Sequence, residues 1–250
     1  MQHTTPKSSI GPAYRGIATL VRPTIRTLTK RDWHGMDRLA FDGPCVIASN
    51  HISWADPLLL AEFIWSCDRV PRFLGKHQVF DVPVLGPLLH NAGQIPVYRE
   101  TEQAGDAVRA AVKAIEKGET VVVYPDGTVT KDPDLWPMCG KTGAARIALT
   151  TGVPLIPVAQ WGAQDMMAPG SKVLKLFPLK TTYMSVGEPI DLDDLRGRDI
   201  DADVLATATG RLVQELTRLL AEIRGEPAPV GCWDRRTSSR RSDSASDGSQ

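Results

Sequence analysis

A chain of 250 residues, 42% of them hydrophobic, can bury one sizeable core, which makes a single domain with short appendages the default. Its 29 basic and 29 acidic side chains cancel, which argues against a general nucleic-acid binder, since such proteins carry a clear basic excess.

Residues 11–31 contain Arg15, Arg22, Arg26, Lys30 and Arg31 and no acidic residue. Wound as a helix, the segment puts Tyr14, Ile17, Leu20, Val21, Ile25 and Leu28 on one arc, with Arg15, Arg22 and Arg26 opposite. That is the pattern of a helix in a lipid interface with its cations toward anionic headgroups. The same pattern also suits a helix packed on the protein's own core. Pro23 is expected to kink it. Next come a buried strand at 46–49, a helix opened by Asp56 as cap and Pro57 at its first position, and strands at 72–74 and 95–98. Val108, Ala111, Val112 and Ile115 recur at helical spacing over 103–117, Gly118 stops that helix, and 121–124 is β-branched. A helix at 143–149, strands at 155–160, 173–177 and 181–186, and a long helix at 203–224 complete the series. Strands alternating with helices imply an α/β fold with a mixed, largely parallel sheet flanked by helices. The organisation expected is a basic amphipathic segment at 1–31, a main domain at 32–230, and a polar tail at 231–250 with too little to bury to fold.

Cys45, Cys67, Cys139 and Cys232 show no Cys-x-x-Cys spacing and no neighbouring histidine, so reduced thiols are the simplest expectation and no metal is called for. No apolar run reaches the roughly 20 residues of a spanning helix, and the first nine residues lack the apolar stretch of a secretory signal.

The most informative stretch joins the first buried strand to the helix after it, Ser49-Asn50-His51-Ile52-Ser53-Trp54-Ala55-Asp56. In open α/β sheets, ligands bind in the crevice beyond the strand C-termini. A histidine there can take a proton from a hydroxyl, and a carboxylate on its other ring nitrogen fixes the tautomer. Five positions apart on one helix, His51 and Asp56 would diverge. With His51 in the turn and Asp56 at the helix start, the turn can bring them together. Taken alone, each residue reads as well as an ordinary turn residue or helix cap.

The company they keep points further. Asn50, His51, Ser53 and Asp56 match the Asn-His-x-Ser-x-x-x-Asp block of the 1-acylglycerol-3-phosphate (lysophosphatidate) acyltransferases, which the sequence resembles. Gly93, Ile95, Val97 and Arg99, with Lys76 upstream, match that family's second block. Its third, Phe-Pro-Glu-Gly-Thr-Arg-Ser, stands here as Tyr124-Pro125-Asp126-Gly127-Thr128-Val129-Thr130. Val153, Pro154, Pro157 and Val158 match the fourth, and the stretch 132–138 looks like actinobacterial members.

The resemblance implies an acyltransferase in which His51 is the general base and Asp56 its orienting partner. A fatty acyl group would pass from acyl-CoA or acyl-ACP directly to a lysophospholipid hydroxyl, giving phosphatidic acid, with no acyl-enzyme and no cofactor. Asn50, Ser53, Asp126, Gly127 and Thr128 would border the substrates, with oxyanion donors near the Gly127 turn. Lys76 and Arg99 would hold the acceptor phosphate, and Lys141 and Arg146 are weaker candidates. The implied setting is peripheral, on the cytoplasmic face of the cell membrane, with no nucleic acid partner. A serine nucleophile at Ser53 is disfavoured because no Gly-x-Ser-x-Gly elbow surrounds it. The segment around Lys141 lacks the full phosphate-loop pattern. Asp126 in place of Glu and Val129 in place of Arg are departures. They keep open another lysophospholipid or glycolipid acceptor, or a weakened lipid-binding relative. A soluble thioesterase is a further rival.

Overall fold

The computed structural model describes residues 12–98 and 104–241. Seven strands form its sheet: β1 Thr29–His34, β2 Cys45–Ser49, β3 Pro71–Lys76, β4 Ile95–Val97, β5 Thr120–Val123, β6 Leu155–Trp161 and β7 Lys180–Val186. Their spatial order is β1-β7-β6-β2-β5-β3-β4. Among the described residues every neighbouring pair is parallel except β6–β7. Parallel neighbours need crossovers, and helices supply most of them: α2 Asp56–Ser66, α5 Ala104–Glu116 and α6 Gly143–Thr151, with the short α3 His77–Phe80 and α4 Leu85–Asn91 between β3 and β4. α1 Pro12–Leu28 precedes the sheet, α7 Ala163–Met166 follows β6, and α8 Ala202–Arg224 follows β7.

The strand interiors are continuous apolar runs because both faces of the sheet are covered. In β2, Val46 and Ala48 face a core shared with α5, α6 and α8, while Cys45 and Ile47 face one shared with α2. Helix α8 buries Val204, Leu205, Ala208, Leu212, Leu216, Leu219 and Leu220 along one stripe. It is capped by Asp201, whose side chain accepts from the Val204 amide at 2.8 Å.

Several expectations are corrected. The helix meant to reach residue 31 yields to β1 at Thr29, because Thr29 to His34 pair in register with Lys180 to Ser185. No strand forms at 173–177: that run is mostly exposed loop and has no partner in the sheet. Asp56 is the first residue inside α2 rather than its cap, a place taken by Ala55. Nor is the tail unstructured from 231: β8 Cys232–Asp234 and β9 Ser239–Arg241 form an antiparallel hairpin. Its anchor overturns the expectation of free thiols at two of the four cysteines, since Cys139 and Cys232 form a disulfide with Cα atoms 5.0 Å apart. A separation of 93 residues hides that partnership from any local reading.

Arg22 and Arg26 of α1 also face a different partner. Arg22 Nε and Arg26 Nε donate to the two carboxylate oxygens of Glu62 on α2, at 2.9 and 2.6 Å. Val21 and Ile25 line the protein's own cavity. The second half of the amphipathic helix therefore packs inward. The side chains of Tyr14, Arg15, Ile17 and Leu20 lie outside the described residues.

Candidate active site

β2 runs out at Ser49, and the next six residues turn before α2 begins. This turn folds back on itself. Asp56, fully buried, holds one oxygen, Oδ2, where three donors converge: His51 Nδ1 at 2.9 Å, the Ile52 amide at 2.6 Å and the Ser53 amide at 2.8 Å. Burial pushes the Asp56 pKa up, and these three donors oppose that by favouring the charged form. With Nδ1–H donated to Asp56, the lone pair of His51 is left on Nε2. The ring borders a cavity, and its side chain keeps 15% of its exposure.

His51 is braced at its ring and at its main chain. Tyr124 stacks on it, ring centroids 4.3 Å apart and planes within 19°. The His51 amide donates to Asp126 Oδ2 at 3.4 Å, and its carbonyl accepts from the Thr130 amide at 2.7 Å. Asp126 Oδ1 accepts from the Met138 amide at 2.9 Å. Asp126 therefore links the histidine turn to the loop that follows β5. Burial raises its pKa to about 7, against the pull of those two amides.

The cavity, of about 1170 Å³, runs from α1 and α2 across β3, α3 and α4 to the loop after β5. It exceeds the roughly 300–1,000 Å³ of ordinary small-molecule sites. Its wall is mostly apolar, with Leu58, Ala61, Trp65, Phe80, Leu88 and Val108 among the contributors. His51, Thr128, Lys76 and Lys141 add polar or charged groups to the lining.

The structure sorts the residues expected at the site. His51, Lys76, Gly127, Thr128 and Lys141 border the cavity. Gly127 takes a left-handed conformation (φ 66°), and a Cβ there would lie 3.1 Å from the Lys141 chain that crosses it. Asp56 and Asp126 stand behind His51, buried. Asn50 and Ser53 turn away. Asn50 exchanges hydrogen bonds with Gln160 of β6, Oδ1 accepting from its amide at 2.8 Å and Nδ2 donating to its carbonyl at 3.0 Å. Ser53 Oγ donates to the Met167 carbonyl at 2.7 Å. Both residues build the turn and do not touch the cleft. The Gly127 amide donates to the Tyr124 carbonyl at 2.9 Å. Arg99 lies outside the described residues, and Arg146 sits on α6 without bordering the cavity. Tyr124 and Thr130 brace the histidine although the sequence assigned them no role. The one signal available was their place in the segment around Asp126.

A histidine oriented by a buried carboxylate, open to an apolar cavity at the C-terminal edge of an α/β sheet, has the geometry that a general base toward a hydroxyl requires. The sequence model of the Acyltransferase family matches residues 30–161, and the chain belongs to that family. Among its relatives is a 1-acyl-sn-glycerol-3-phosphate acyltransferase of Brassica napus, chloroplastic, 34% identical over 145 residues, 57% of this chain and 40% of that protein. One from Bacillus subtilis is 28% identical over 161 residues, 64% of this chain and 74% of that protein. The chain spans about two fifths to half the length of the first relatives it matches. The fold is that of the 1-acyl-sn-glycerophosphate acyltransferase PlsC of Thermotoga maritima, with a TM-score of 0.62 at 20% identity, over 83% of this chain and 79% of that one.

Proposed function

We propose that this chain transfers a fatty acyl group from a thioester, acyl-CoA or acyl-ACP, to the free hydroxyl of 1-acylglycerol-3-phosphate, giving phosphatidic acid for phospholipid synthesis. The observation that carries the reading is the His51 Nδ1–Asp56 Oδ2 hydrogen bond of 2.9 Å at the edge of a large apolar cavity. Family membership and the printed names of the relatives support it.

In this mechanism the acceptor hydroxyl lies against His51 Nε2, which takes its proton as the oxygen attacks the thioester carbonyl. Asp56 stabilises the imidazolium without leaving its three donors. The tetrahedral oxyanion forms beside the turn after Pro125, where Thr128 and Val129 border the cavity and their amides are the candidate donors. Collapse breaks the C–S bond, and the departing thiolate takes the proton back from Nε2. No acyl-enzyme intervenes, in keeping with a Ser53 hydroxyl occupied by Met167. Lys76, Lys141 and Arg99 are assigned to the phosphates of the substrates, and the apolar wall to acyl chains. No cofactor takes part. The protein works from the membrane surface, on the cytoplasmic face. Among the described residues no helix is long and apolar enough to cross a bilayer.

The test is mass spectrometry of products when the purified protein meets mixed acyl thioesters and a panel of lysolipids. Phosphatidic acid that appears as thioester is consumed supports the reading. Free fatty acid alone, or transfer only to another acceptor, overturns it. His51→Ala should lower transfer roughly a hundred- to ten-thousand-fold with the circular dichroism spectrum unchanged. Excess EDTA should leave turnover as it was.

A further inference from the structure

The connection from β6 to β7 leaves the sheet at the same edge as the catalytic turn. β2 and β6 run parallel, so Ser49 and Trp161 lie toward one end, and β7 starts back from that end because it is antiparallel to β6. The loop is also tied to the turn directly. Ser53 Oγ donates to the Met167 carbonyl at 2.7 Å, and the Lys175 amide closes back onto the Met166 carbonyl at 2.7 Å.

What hangs from this root is Lys172-Val173-Leu174-Lys175-Leu176-Phe177-Pro178-Leu179-Lys180. Leu176 packs on the core, but Val173 is 62%, Leu174 49% and Phe177 75% exposed. A stretch this apolar is ordinarily buried, and exposed apolar groups gathered on one loop mark an interaction surface. The cations select among occupants. No acidic residue occurs from 166 to 187, and among the described residues Lys172, Lys175 and Lys180 form no ion pair. Apolar side chains interleaved with lysines suit an interface with hydrocarbon below and anionic headgroups around it. Beside the loop root, Trp54 (52% exposed) follows Ser53 and borders the cavity. The second half of α1 does not compete for this role, since Val21, Ile25, Arg22 and Arg26 are engaged within the protein.

We propose that the 172–180 loop docks on an anionic lipid bilayer, seating Val173, Leu174 and Phe177 in the acyl boundary and presenting the catalytic edge to lipid. The proposal deepens the acyltransferase reading by naming the membrane contact, yet its first test needs no turnover. Full-length protein is sedimented with phosphatidylcholine vesicles and with vesicles containing an equal share of phosphatidylglycerol. The native chain should bind the anionic vesicles more tightly, and high salt should erase part of the difference. Leu174→Asp with Phe177→Asp should abolish binding to both. Lys172→Gln with Lys175→Gln should lose the anionic preference, by roughly tenfold or more. In a second arm, both variants should turn over a short-chain, water-soluble lysolipid like the native protein but slow on vesicle-borne acceptor. Variants that bind vesicles like the native chain overturn the proposal. So does a native dimer, seen by analytical ultracentrifugation, that these substitutions split while vesicle binding stays unchanged. Absence of turnover on every acceptor would fail the acyltransferase reading and leave the vesicle result standing.

Discussion

Asp126 stands where relatives of this kind were expected to carry Glu, and the structure gives the shorter side chain a definite task. It fits between two amides, those of His51 and Met138, with no exposure to spare. An added methylene would have to displace one of them, so Asp126→Glu is not a neutral restoration. Burial raises its pKa to about 7 in the folded protein, against about 3.9 in an unfolded chain. The folded state therefore holds the proton more tightly. The associated stability is fully present below about pH 4 and is lost as pH rises toward about 7. On the order of 4 kcal/mol should disappear over that window from this group. Chemical denaturation at a series of pH values should show this slope in the native chain and its loss in Asp126→Asn.

Among the elements, α1 and α2 are joined by charge as well as by packing. The Glu62 carboxylate is 1% exposed and takes both Arg22 and Arg26, which are 28% and 41% exposed. Removing both cations leaves a buried, unpaired carboxylate, a larger penalty than the loss of a surface ion pair. Arg22→Met with Arg26→Met should destabilise the protein by on the order of 3 kcal/mol. It should also expose α1 to proteolysis, read from denaturation midpoints and digestion patterns. Glu62→Gln in that background should recover part of the loss. α2 has a second duty, because its first residue, Asp56, is the histidine's partner. A disturbance at Glu62 that reaches the helix start will lower activity along with stability.

At the scale of the molecule, the C-terminal hairpin closes the fold over the loop that supports the site. Cys232 bonds Cys139, the Cys139 amide donates to the Trp233 carbonyl at 2.9 Å, and Arg240 pairs with the buried Asp132 at 2.6 Å. The residue before Cys139 is Met138, whose amide holds Asp126. Cys139→Ser should cost roughly 2–5 kcal/mol, as expected for a disulfide closing a long loop. Dithiothreitol should lower the native chain's denaturation midpoint to about that of the variant. Disulfides persist in oxidising compartments. Differential alkylation of protein taken from cells therefore tests the proposed cytoplasmic face, which requires Cys139 and Cys232 to be recovered as thiols.

The strands β2, β5 and β6, the helices α5 and α8, and the His51–Asp56 pairing were all legible in the chain. Each rests on local spacing: apolar runs, a 3.6-residue period, or a turn that brings two side chains together within six residues. The loop at 172–180 misled for the same reason, since an apolar run reads as a strand until its neighbours are known. What only the tertiary structure decided depends on contacts far apart in sequence. Asn50 pairs with Gln160, Arg22 and Arg26 of α1 pair with Glu62, and Cys139 bonds Cys232. Periodicity records which face of an element is apolar, whereas the partner a polar side chain finds is set by which elements the sheet order brings side by side.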